Sequence, residues 1–117
     1  MLQSYRDLLV WQRAIELAVL AYRFSERFPR SETYGLMSQL RRAGVSVPSN
    51  IAEGYGRNSR KEYVQFLSIA QGSLKEFETQ AILAQRLNYA TPSQTERLLS
   101  DSEILGKMLT NLIRSLR

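Results

Sequence analysis

The sequence predicts an all-α fold, an up-down-up-down antiparallel four-helix bundle in which residues 1–117 form a single domain. Three observations support this prediction. Apolar residues recur every three or four positions along four segments, helix-capping residues precede the segments, and only a few residues connect them. Connections this short make consecutive helices antiparallel neighbours.

The first helix is predicted over residues 5–28, after Ser4 and up to the Phe28-Pro29 step. It carries two apolar stripes, Trp11, Ile15, Ala18 and Tyr22 in one, and Val10, Ala14, Leu17, Ala21, Phe24 and Phe28 in the other. Because one stripe is enough for a bundle helix, the second predicts a surface between subunits. The interface candidates are Val10, Leu17, Leu20 and Phe24. The alternative is a helix that its own bundle encloses more fully.

The second helix is predicted over residues 32–55, after Ser31. Pro48 lies inside it, where proline removes the hydrogen bond to the carbonyl of Gly44, so a kink is expected near Pro48. The run Gly54-Tyr55-Gly56 predicts a left-handed C-cap at the end of the helix.

The third helix is predicted over residues 60–88 and the fourth over residues 92–116. Ser59 and Thr91 each stand three residues before a glutamate or glutamine, which is the spacing of the capping box. Pro92 occupies the first position of the fourth helix, where its missing N–H costs nothing.

A polar stripe accompanies the apolar stripe of the second helix, and polar residues follow Gly72 in the third. A close approach of the two helices would explain a glycine at position 72. The predicted polar core network consists of Gln39, Arg42, Ser46, Asn50, Glu53, Ser73 and Glu76. Within it, Arg42 is a partner for Glu53. The rival hypothesis is a metal or proton-transfer site on Glu53 and Glu76, but hard metals normally need more carboxylates or a histidine.

Composition excludes several classes of function. The chain has no cysteine and no histidine, so thiolate metal sites, disulfide frameworks and catalysis by an imidazole base are ruled out. We therefore expect no enzymatic activity, no catalytic residue, no metal and no cofactor. The N-terminus lacks a basic segment followed by an apolar run, and the stretch 17–22 is too short to cross a bilayer. The expectation is a cytoplasmic protein without a membrane partner.

The net charge of +5 favours a polyanionic partner such as RNA or DNA, and ordinary solubility is the alternative. Basic residues cluster around the turn between the second and third helices, where a helix N-terminus adds backbone N–H donors for phosphate. A tyrosine in this turn offers a ring for base stacking. The nucleic-acid-binding candidates are Arg41, Arg57, Arg60, Lys61 and Tyr55.

Several runs of residues together resemble a known family. They are Asp7-Leu8, Trp11-Gln12, Ala14, Phe28-Pro29, Tyr34-Gly35-Leu36, Gln39-Leu40-Arg41-Arg42-Ala43, Ser46 to Gly54, Ala70, Gly72-Ser73-Leu74 and Glu76. The chain resembles the bacterial four-helix-bundle proteins named for open reading frames in intervening sequences of 23S ribosomal RNA genes. The resemblance covers nearly the whole chain, and the Ser-Asn-Ile-Ala-Glu-Gly run is its most specific part; Gly44 departs from the alanine expected there.

The resemblance implies a homo-oligomer that closes into a ring, typically a pentamer, and no enzymatic activity. It also implies kinship with the accessory protein of diversity-generating retroelements, a basic protein of similar fold that binds nucleic acid together with a reverse transcriptase. The leading hypothesis is a ring that weakly binds nucleic acid or scaffolds a nucleic-acid-processing protein partner. The second hypothesis is a purely structural or protein-interaction module.

Overall fold

A computed structural model describes residues 2–117 and confirms the all-α four-helix fold. The helices are α1, Leu9–Ser25; α2, Leu36–Tyr55; α3, Arg60–Arg86; and α4, Pro92–Leu116. Each helix packs against the next along the chain, and α4 closes the bundle by packing on α1. In the described residues, the backbones of α2 and α4 do not approach each other closely, so the two helices stand on one diagonal of the bundle. Within the same residues, no helix combines the length and the apolar character that a membrane crossing requires.

The first two helices begin later than predicted. Ser4 does cap a helix, with a reciprocal hydrogen bond from its own N–H to the Asp7 carboxylate, but that helix is only the 3-10 turn Tyr5–Asp7. Extended backbone at Leu8 then separates the turn from α1. Likewise, Ser31 lies inside the 3-10 turn Arg30–Glu32, and α2 begins at Leu36. Both serines mark helical turns that stop after three residues.

Glu32 joins two connections at one end of the bundle. Its carboxylate accepts a hydrogen bond from the backbone N–H of Leu36 (2.9 Å) and another from the hydroxyl of Tyr89 (3.0 Å), which lies between α3 and α4. This hydrogen bond to Glu32, with smaller contributions from burial and the carboxylate charge, raises the pKa of Tyr89 above its ordinary value. The Tyr89 ring also packs on the buried Phe28. The start of α2 is thereby tied to the α3–α4 connection.

The predicted caps of the last two helices are present. The Ser59 hydroxyl accepts from the N–H of Glu62, although the reciprocal half of the capping box is absent there. Thr91 forms the complete box with Gln94, and Pro92 is the first helical residue. The end of α3 was predicted less well. Asn88 takes a left-handed conformation (φ 65°) just after α3, which therefore stops at Arg86, two residues before the predicted end.

The predicted left-handed C-cap at the end of α2 is wrong, because no glycine in residues 2–117 has a positive φ. Gly54 is buried and serves packing instead. A Cβ atom built on it would lie 2.8 Å from Cβ of Phe66 and 3.1 Å from Cδ1 of Tyr63. Gly54 therefore allows α2 to approach α3 closely. The helix itself continues unbroken through the buried Pro48, and the bend expected there stays a prediction.

Replacing Gly54 by alanine should lower the free energy of unfolding by about 1–3 kcal/mol, because the added methyl group overpacks the α2–α3 contact. Urea denaturation followed by circular dichroism measures the change. Gly56→Ala is the matched control: its φ is −79° and the nearest atom to an added Cβ is 3.6 Å away. Equal stability of the two variants would show that α3 does not require a glycine at position 54.

Candidate nucleic-acid interface

Basic residues from two distant parts of the chain meet at one end of the bundle. Because the helices alternate in direction, α4 ends where α3 begins. Arg60 and Lys61 of α3 share a shallow depression of about 330 Å³ with Arg117, which follows α4. All three side chains are exposed, and none forms an ion pair within the described part of the chain. The sequence identified Arg60 and Lys61 but not Arg117, which only the topology brings to them.

Arg57 lies in the turn before α3 and already contacts a carboxylate and an aromatic ring. Its guanidinium donates to the Glu53 carboxylate at 2.6 Å and stacks over the ring of Phe66, 4.6 Å from the ring centroid. The ion pair is exposed on both sides, so it contributes little to stability and yields readily to a stronger anion. Arg57 thus remains a candidate beside Arg60 and Lys61. The same ion pair shows that the expected Arg42–Glu53 pairing is wrong.

Tyr55 does not offer the stacking surface that the sequence predicted. Its ring is half-buried, packs against the core and meets the ring of Tyr63 edge-on, with 6.1 Å between centroids. Burial, and secondarily the neighbouring Tyr55, raises the pKa of Tyr63 above its ordinary value. Both rings are packing elements of the α2–α3 end, and a base has little of either face to stack on.

Arg41 lies far from this end and holds α2 against α1. It stands sixteen residues before Arg57, or about 24 Å along the helix axis. Its Nε donates to the buried hydroxyl of Ser25 (2.8 Å), Nη2 donates to the carbonyl of Tyr22 (3.2 Å), and the guanidinium lies over the Tyr22 ring. The structure therefore separates Arg41 from Arg57, Arg60 and Lys61, and its role in nucleic-acid binding stays a prediction.

The polar network between α2 and α3 is smaller than predicted. The hydroxyls of Ser46 and Ser73 are 2.8 Å apart, and the side-chain amide of Asn50 donates to Ser46. These three residues are buried or half-buried. The other four predicted members are exposed and outside the network: Gln39, Arg42, Glu53 and Glu76.

The rival carboxylate site on Glu53 and Glu76 is also wrong. In the antiparallel pair, Glu53 lies seven residues beyond Ser46 and Glu76 lies three residues beyond Ser73 in the opposite direction. The two carboxylates are thus about 15 Å apart along the helix axes. Residues 2–117 also hold no cluster of three or more acidic, histidine or cysteine side chains that is suited to a metal ion.

The side of α1 that faces solvent is not the side that was predicted to form a subunit interface. Val10 and Leu17 are buried in the core of their own bundle, so their assignment to a subunit interface is wrong. Leu20 and Phe24 are half-buried and pack against that core. Ile15 and Tyr22 of the other stripe remain exposed, at 38% and 47%, and so does Val19 between them, at 45%.

Ile15 and Val19 line a groove of about 440 Å³ between α1 and α4, together with Ile104. Both signs of charge surround the groove: Arg13, Glu16, Arg23, Arg97 and Asp101. None of these charged groups forms an ion pair within residues 2–117. An apolar floor with a rim of unpaired charges is typical of a surface that binds protein.

Gly72 does not lie at the helix contact that was predicted for it. It is exposed, and a Cβ atom built on it would meet nothing within 4 Å. Glycine in the middle of a helix costs about 1 kcal/mol relative to alanine. Packing within the chain does not explain that cost.

Comparisons with known proteins agree on a family. The model of the family described as 23S rRNA-intervening sequence protein matches residues 6–111. The chain is also similar to a crystal structure from Bacteroides thetaiotaomicron, described as a protein of unknown function from the S23 ribosomal protein family. That similarity has a TM-score of 0.81 and 29% sequence identity, and it covers 90% of this chain and 98% of the other. No curated protein matches the chain.

Replacing Arg41 by alanine should lower the free energy of unfolding by about 1–2 kcal/mol, because the hydroxyl of Ser25 and the carbonyl of Tyr22 each lose the hydrogen bond from its guanidinium. Any affinity for nucleic acid should stay within twofold of that of the unaltered protein. Arg42→Ala, on the exposed side of the same helix, is the control and should change stability by less than about 0.5 kcal/mol. A loss of nucleic-acid binding without a loss of stability would return Arg41 to the binding surface.

Proposed function

The chain belongs to the 23S rRNA-intervening sequence protein family, and we propose that it acts without catalysis, as a ring-forming homo-oligomer that weakly binds nucleic acid or scaffolds a nucleic-acid-processing partner. The observation that carries the proposal is the basic end of the bundle. There, Arg60, Lys61 and Arg117 are exposed and unpaired in the described residues. Three such cations attract phosphates and release counterions when phosphates bind.

Oligomerisation is supported by the outward face of α1. Ile15, Val19 and Tyr22 follow one another at spacings of four and three, so they form a continuous exposed stripe. Its removal from water favours association by the hydrophobic effect. We further propose that the ring is a pentamer and that the chain is related to the accessory protein of diversity-generating retroelements. Repetition of one basic end around a ring would turn a weak site into a multivalent one.

A protein-interaction module without nucleic-acid binding is the second candidate. The mixed charges around the α1–α4 groove favour it, because Arg13, Arg97 and Asp101 suit a protein partner better than a polyanion. The two candidates differ in salt dependence: only phosphate binding weakens steeply and linearly in the logarithm of salt concentration.

Aspartate at both Ile15 and Val19 should dissociate the oligomer, because each carboxylate would have to be desolvated in the contact. Light scattering after size-exclusion chromatography gives the mass of each species. Leu83→Asp is the control, since Leu83 is equally exposed but lies on α3, which does not touch α1 within residues 2–117. A monomeric unaltered protein at micromolar concentration would refute the ring.

Charge reversal of both Arg60 and Lys61 to glutamate should weaken binding of labelled RNA or DNA about tenfold or more at low salt. It should also flatten the salt dependence by about 1.4 in the log–log slope, for two lost phosphate contacts on a single strand. Fluorescence anisotropy at several salt concentrations measures both. Reversal of Arg27 and Arg30 is the control, because these exposed arginines lie at the opposite end of the bundle. Equal effects of the two double variants would show that only net charge matters.

A further inference from the structure

A groove of about 740 Å³ runs along the outer side of α3 and α4. It begins near the basic end, where Arg114 lies one turn before Arg117, and reaches Lys75 and Lys107 near the middle of the bundle. Lys61 and Lys75 are fourteen residues apart on α3, which is about 21 Å along the helix axis. Fourteen residues are nearly four helical turns, so both lysines lie on the same side of α3, and the depression and the groove follow one another along that side as a track.

The track concentrates the positive charge of the chain. Six cations line it: Arg60, Lys61, Lys75, Lys107, Arg114 and Arg117. Two carboxylates oppose them, Glu78 beside Lys75 (3.2 Å) and Glu103 beside Lys107 (3.6 Å). The excess of four charges is most of the net charge of +5. Lys75 and both members of the second pair are largely exposed, so these pairs exchange readily for phosphate.

Gly72 lies in the lining of the groove. Its side of α3 presents bare backbone to the open space, because nothing within 4 Å would meet a Cβ there. Glycine at such a position permits a bound chain to approach the helix backbone closely. Gly106 lines the same groove on α4, with polar side chains of Gln71 and Asn111 near it.

We propose that the α3–α4 groove binds a single strand of RNA or DNA, whose phosphates follow the lysines and arginines from the basic end to Gly72. The inference rests on the proposed function and extends its site from the end of the bundle along one side. A groove between adjacent helices, whose axes normally lie about 8–10 Å apart, admits one extended strand but not a duplex. The like charge of the groove disfavours a second copy of this basic chain as its occupant.

The test is Gly72→Glu, which places bulk and negative charge in the groove at a position that the fold leaves empty. The probes are a fluorescein-labelled twelve-nucleotide oligouridylate, an oligothymidylate of the same length and a twelve-base-pair DNA duplex. We expect at least a tenfold loss of affinity for both single strands, measured by anisotropy at low salt. The unaltered protein should bind either single strand more tightly than the duplex.

Two variants control for charge and for folding. Ser49→Glu adds the same charge at an exposed position of α2, which does not touch α4 in the described residues, and should keep affinity within twofold. Gly72→Ala should weaken binding far less than Gly72→Glu, because it adds one methyl group and no charge, and it should raise the thermal midpoint by a few degrees, because alanine fits and favours helix. Tighter binding of oligouridylate than of oligothymidylate would assign the groove to RNA through the 2′-hydroxyl.

Retention of binding by Gly72→Glu would overturn the inference. If the Arg60 and Lys61 reversal still abolished binding in that case, the proposed function would stand with its site confined to the basic end. Failure of the unaltered protein to bind any probe would refute both. Dissociation of the oligomer by Gly72→Glu, with unchanged binding per protomer, would identify the groove as a contact between copies and also overturn the inference.

Discussion

The close approach of α2 to α3 is the constraint on which the rest of the bundle depends. The two helices form its most extensive contact. Gly54 removes the side chain that would collide with Phe66, and the hydroxyls of Ser46 and Ser73 meet where a larger pair would separate the helices. Apolar burial drives the association, whereas the glycine and the serine pair set its distance and register.

The tight α2–α3 pair leaves α4 as the less closely packed helix. Its contacts with α3 and α1 are less extensive than those between α2 and α3, and an open groove lies on each side of it. Both candidate binding surfaces therefore border α4. The helix remains fixed because its own apolar side, including Leu105 and Leu109, is buried in the common core. A helix anchored by one face and open along both flanks can bind partners without a change of fold.

Much of the fold was predictable because apolar periodicity and capping are local properties. The four helices and the caps at Ser59 and Thr91 follow from residues within a few positions of one another. The starts of α1 and α2 were not predictable in this way. A serine caps a short 3-10 turn as well as an α-helix, and Glu32 caps α2 by a side chain whose second partner, Tyr89, is 57 residues away.

The residues of the candidate site were likewise predictable only where they lie close together in the sequence. Arg60 and Lys61 were found because they adjoin one turn, but Arg114 and Arg117 reach them only through the antiparallel path of α4. The structural role of Arg41 was not predictable, because its hydroxyl partner on Ser25 is sixteen residues away on another helix. For α1, periodicity identified two apolar stripes but not which one faces inward. That choice depends on the small Ala14 and Ala21, which let the helix sink into the core on the Val10–Leu17 side.

Because the two grooves differ in charge, the proposed assembly and the proposed binding would use separate surfaces. The α1–α4 groove has a mixed rim and exposed apolar residues, whereas the α3–α4 groove has an excess of cations, with Leu74 as the large apolar residue in its lining. Protein contacts tolerate and use charges of both signs, but phosphate contacts need a net excess of one sign over a length of chain. With an excess of four charges, one protomer would bind a polynucleotide only weakly. Association through the α1 side would leave the α3–α4 tracks of several protomers available to one strand. Once the strand is bound to one track, the neighbouring tracks are at a high effective concentration, which would supply the affinity that a single bundle lacks.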